Sequence, residues 1–75
     1  MATKFREQID AHMAHIDVQV RRIDIEQQAL ASEAPSSRAR AMEIRLRSVE
    51  LRDRRVGLVR SRIKWAEIIE ILVED

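Results

Sequence analysis

Two histidines three residues apart, His12 and His15, are the residues of this chain best suited to hold a metal. On a helix that spacing sets two imidazoles on neighbouring turns. A zinc site takes three or four ligands, and the chain has no cysteine to complete one. The pair therefore reads as exposed helix residues, and neither a metal nor another cofactor is expected. Carboxylates are plentiful, but two helices offer no closed pocket in which to shift their proton affinities. The sequence holds no glycine-rich phosphate loop and no nucleophile constellation. Enzyme chemistry is not expected.

Arginine is the other chemistry-bearing residue. The net charge of +1 conceals three blocks. Residues 1–34 carry two more acids than bases, residues 35–64 carry ten bases against Glu43, Glu50 and Asp53, and residues 65–75 carry four acids. A basic block of that density is an electrostatic footprint for phosphate. Its arginines are interleaved with Leu51 and Leu58, which gain little beside phosphate, and acidic segments on both sides dilute the field. Leu, Trp and Arg together suit a protein interface better. The expected partner-binding residues are Leu51, Leu58, Trp65, Ile69 and Leu72, with Arg47, Arg54 and Arg62 around them. The expected partner is a regulatory protein, with a second copy of the chain also open. Nucleic acid is the alternative.

Two elements must position these residues. Ile9-Asp10, Ile16-Asp17 and Ile23-Asp24 repeat every seven residues, and a second ladder runs Ile44, Leu51, Leu58, Trp65, Leu72. Heptad spacing predicts helices made to pack lengthwise. Thr3 can cap a first helix over about 4–31. The turn signal lies at 32–37, where Pro35 disfavours helix at Ala34 and Ser36 or Ser37 can cap a second helix over about 38–73. The helices would be roughly 43 Å and 55 Å long. So short a connection makes them antiparallel neighbours. The expected fold is all-α, one antiparallel two-helix hairpin over residues 1–75, with dimerisation into a helical bundle left open. No apolar run is long enough to cross a bilayer and no signal-peptide pattern opens the chain, so a cytoplasmic location is expected.

A register follows from the pattern. Ile9, Ile16, Ile23 and Leu30 take one seam position of the first helix, with Met13, Val20 and Gln27 beside them. Met42, Val49, Val56 and Ile63 take the seam of the second, with Leu46, Asp53 and Arg60 beside them. Leu30 then meets Met42, Ile23 meets Val49, Ile16 meets Val56 and Ile9 meets Ile63. Along one edge Glu33 faces Arg38, Glu26 faces Arg45, Gln19 faces Arg52, His12 faces Val59 and Phe5 faces Ala66. The other edge gathers Asp10, Asp17 and Asp24 near Glu43 and Glu50, a like-charge strip open to a basic partner. Ala11, Val18 and Ile25 are left facing outward, as is the Ile44 ladder with Arg40, Arg47, Arg54, Arg55 and Arg62 around it. In this register residues 67–75 overhang. Their Ile68, Ile69, Ile71, Leu72 and Val73 would need cover from a second copy, a bent-back N-terminus or a client protein.

In its size, its hairpin around Pro35 and its surplus apolar faces, the chain resembles the small antiactivators of the TraM and QseM type that sequester quorum-sensing regulators in rhizobia. That resemblance implies inhibition of a bacterial transcription regulator by direct binding, which blocks DNA contact or dimerisation. In outline the hairpin is also similar to Rop-type proteins, whose paired hairpins form RNA-binding bundles.

Overall fold

Ser37 marks the point where the chain reverses. Its Oγ accepts a hydrogen bond from the backbone N–H of Arg40 at 3.1 Å, and its carbonyl accepts the N–H of Ala41 at 3.0 Å. These bonds satisfy donors that a helix start leaves open. The computed structural model describes residues 2–74, and their side chains over 4–72. Helix α1 spans Ala2–Ser32 and helix α2 spans Arg38–Glu74. Residues 33–37 are the turn. The end of α1 is tied by Ser32 Oγ, which donates to the Gln28 carbonyl at 2.9 Å, and by the Glu33 N–H on the Leu30 carbonyl. Pro35 sits where its missing N–H is not required. Helix α1 is described from Ala2; the side chain of Thr3, the expected cap, lies outside the described residues, as do the Val73 side chain and all of Asp75.

The helices pack against each other as an antiparallel hairpin, a rod of 58 × 14 × 13 Å. Two helices cannot enclose a volume, so the core is a single file. Ile9, Ile16, Ile23 and Leu51 are its buried members. The α1 seam is the expected one: Ile9, Ile16 and Ile23 face α2, with Met13, Val20 and Leu30 half-buried beside them.

On α2 the seam is not the expected one. Leu51 is 1% exposed, whereas Met42, Val49, Val56 and Ile63 are 54%, 43%, 44% and 53% exposed. Helix α2 is rotated by about half a turn from the expected orientation. The Ile44 ladder, assigned to the outside from sequence, is the inside. Ile44, Leu58, Trp65, Ile69 and Leu72 are half-buried along it. Asp53 and Arg60 therefore lie in solvent and do not interrupt the seam.

Two physical terms favour this orientation. The larger side chains Leu51, Leu58 and Trp65 leave water, and burial stabilises roughly in proportion to apolar area. The charges also sort themselves. Arg40 and Arg47 reach Glu33 and Glu26 along one edge, and Arg55 and Arg62 reach Asp24 and Asp17 along the other, each at 2.6–2.8 Å. The expected partners Arg38, Arg45 and Arg52 point away.

Candidate protein-interaction face

The edge arginines are built into the hairpin. Arg47 Nε donates to Glu26 Oε2 at 2.6 Å and Nη2 to Oε1 at 3.3 Å, a two-toothed pair across the seam. Its Nη1 donates to Glu50 at 3.1 Å, one turn further along α2. One heptad earlier, Arg40 repeats the motif with Glu33 and Glu43. The hydrogen bonds from Arg47 and Arg40 hold the Glu26 and Glu33 carboxyls below the usual carboxylate value, with desolvation acting the other way. The same bonds raise the two guanidiniums, Arg40 most of all. On the opposite edge Arg55 Nε reaches Asp24 at 2.8 Å and Arg62 Nε reaches Asp17 at 2.6 Å. Asp17 and Asp24 are thus paired inside the molecule, and the like-charge strip expected beside Glu43 and Glu50 does not form.

This reassigns most of the expected site. Leu51 is sealed in the core, and Leu58, Trp65, Ile69 and Leu72 form the half-buried continuation of the seam. Arg47 and Arg62 are held by α1 acids. Arg54 stays on the surface, 3.9 Å from Glu50. It lines a groove of about 430 Å³ with Gln19, Arg22, Ile23, Glu26, Leu51 and Leu58. Leu51, Arg54 and Leu58 among the expected residues border that groove, whose wall is about evenly polar and apolar.

Towards the far end of the rod two aromatic rings meet across the seam. The His12 imidazole stands edge-on to the Trp65 indole, with centroids 5.3 Å apart and planes at 73°. Such edge-to-face pairs add modestly to area burial. Phe5, Gln8 and Ile9 complete a small hollow around them. His12 therefore packs on Trp65 and not on Val59. The overhang is also shorter than expected. Carrying the ion-pair register onward sets the first turn of α1 level with the last turns of α2, so Ile69 and Leu72 are half-covered. Ile68 and Ile71 remain exposed.

The most accessible apolar stripe is the one taken from sequence for the core: Met42, Val49, Val56 and Ile63, with Leu46 beside it at 63% exposed. It runs down the face of α2 opposite the seam. A smaller stripe, Ala11, Val18 and Ile25, lies on the outer face of α1, as expected. What would have found the α2 stripe is the charge pattern of both edges considered together. The expected register satisfied two acids and stranded Asp17 and Asp24, whereas the observed one pairs four.

Neither a protein-family profile, nor a curated protein, nor a solved structure matches this chain. Among the described residues, no helix is long and apolar enough to cross a membrane.

Proposed function

We propose that this protein is a non-enzymatic hairpin that acts by binding protein through the outer face of α2. The observation that carries the reading is the exposed heptad stripe Met42, Val49, Val56 and Ile63. An apolar stripe of three heptads facing water costs solubility unless something covers it. Its spacing suits a helix laid along it, with alternate turns contributing anchors. Inhibition of a regulatory protein by direct contact, the role that the outline resemblance implies, would be exerted here and not through Leu51 and Trp65. The nucleic-acid alternative loses ground because Arg40, Arg47, Arg55 and Arg62 are neutralised by acids of α1, which leaves less free positive charge than the sequence suggests.

A photo-crosslinking side chain placed at Val56, with a control at Arg21 on α1, tests this in cells. Protein adducts that form at Val56, persist in high salt and resist nuclease support the reading. Adducts equally frequent at Arg21, or nucleic-acid adducts at Val56 that vanish with salt, refute it.

A further inference from the structure

The outer face of α2 is self-complementary. Its apolar centre is flanked by Arg38, Arg45 and Arg52 towards the helix start and by Glu67 and Glu70 towards its end, all exposed. We infer that the occupant of this face is a second copy of the same chain, laid antiparallel with Val56 on the two-fold axis. The inference rests on the reading that the stripe is a docking face, and names its partner.

The placement follows from counting outward from Val56. Seven residues to either side stand Val49 and Ile63, so each meets the other's counterpart across the axis. Eleven residues to either side stand Arg45 and Glu67, opposite charges that meet twice in one dimer. A parallel pairing would instead set Arg45 on Arg45 and Glu67 on Glu67, and like charges across a close interface are costly. Arg52 falls opposite Arg60 of the second copy, a like-charge contact that costs stability and that Asp53, whose Oδ1 lies 4.0 Å from Arg52 Nε within the chain, offsets in part. With Val56 on the axis the apolar contact runs from Val49 to Ile63, two heptads or about 21 Å, and Met42 falls opposite Glu70. An isologous interface needs one patch that fits itself, and this face has that symmetry. A foreign helix would require its own matched charge gradient.

The full chain tests this directly, because it contains no cysteine of its own. Sedimentation equilibrium should show a dimer. Under oxidising conditions Val56→Cys should self-link several-fold more than Val49→Cys or Ile63→Cys alone, while an equal mixture of those two should link as well as Val56→Cys. Arg45→Glu and Glu67→Arg should each weaken the dimer, and the double variant should restore it. A monomer at every concentration overturns the inference. So does efficient self-linking at all three positions, which marks a parallel pair. A dimer indifferent to Val49, Val56 and Ile63 overturns both the inference and the docking reading. A monomer whose Val56 crosslinks to a foreign protein overturns the inference alone.

Discussion

Asp17 and Arg62 meet at 2.6 Å although 45 residues separate them in the chain. Their pairing, with that of Asp24 and Arg55, goes with the rotation of α2 that buries Leu51, Leu58 and Trp65. The apolar residues alone do not fix it, since α2 carries heptad ladders on two opposite sides.

Leu51 and Ile25 should respond oppositely to truncation. Leu51→Ala removes a fully buried side chain from a core with few members and should cost about 2–5 kcal/mol. Ile25→Ala trims a side chain that is 59% exposed and should change stability by less than about 0.5 kcal/mol. Urea unfolding followed by circular dichroism measures both. Equal costs would mean that the seam has been wrongly assigned.

The long-range ion pair should show coupling. Asp17 and Arg62 are each about half exposed, so their interaction is worth roughly 0.2–1 kcal/mol. Asp17→Arg and Arg62→Asp should each lower the melting temperature, and the double variant should recover part of the loss. Raising salt should shrink the coupling. Strict additivity of the two single changes would contradict the contact.

Acid should loosen the hairpin through Glu26 and Glu33. Both carboxyls lie below their ordinary value of 4.5 in the folded chain because Arg47 and Arg40 hydrogen-bond the ionised form. A lowered folded value means that the stabilisation is fully present above about pH 4.5 and fades as pH falls through the folded values. Melting temperatures between pH 7 and pH 3 should drop more steeply for the native chain than for the Glu26→Gln, Glu33→Gln variant. Parallel profiles would remove these carboxyls as the cause.

Gly57 is a stability reserve. Its φ is not positive, and a Cβ added there meets nothing within 4 Å. Gly57→Ala should therefore stabilise α2 by about 0.5–1 kcal/mol, the ordinary helix-interior difference. A loss of stability in thermal unfolding would reveal a contact at this position beyond those described.

Much of the fold was legible in local chemistry. Pro35 and Ser37 locate the turn, and Ile9, Ile16 and Ile23 name the inner face of α1, because each signal acts within one or two helical turns. The orientation of α2 was harder. Met42, Val49, Val56 and Ile63 match the α1 ladder as well in spacing as Ile44, Leu51, Leu58 and Trp65 do. The difference lies in side-chain size and in which arginines reach acids on both edges at once. Those quantities depend on the rotation of one helix against another, and a single edge of charges, such as Glu33 with Arg38 and Glu26 with Arg45, satisfies the wrong rotation. The face left outward changed with it, since the face counted as surplus was the complement of the face counted as core.

The five-residue turn between α1 and α2 orders the contacts by the length of chain that each must close. Arg40 finds Glu33 seven residues away, Arg47 finds Glu26 across 21, and Arg62 finds Asp17 across 45. Closing a longer loop costs more entropy, so the rod should form as a zipper that starts beside Pro35 and runs outward to His12 and Trp65. Substitutions near the turn, such as Leu30→Ala, should slow folding. Substitutions at the open end, such as Ile9→Ala, should mainly hasten unfolding. Stopped-flow fluorescence of Trp65, the only tryptophan, would follow the last step of that closure.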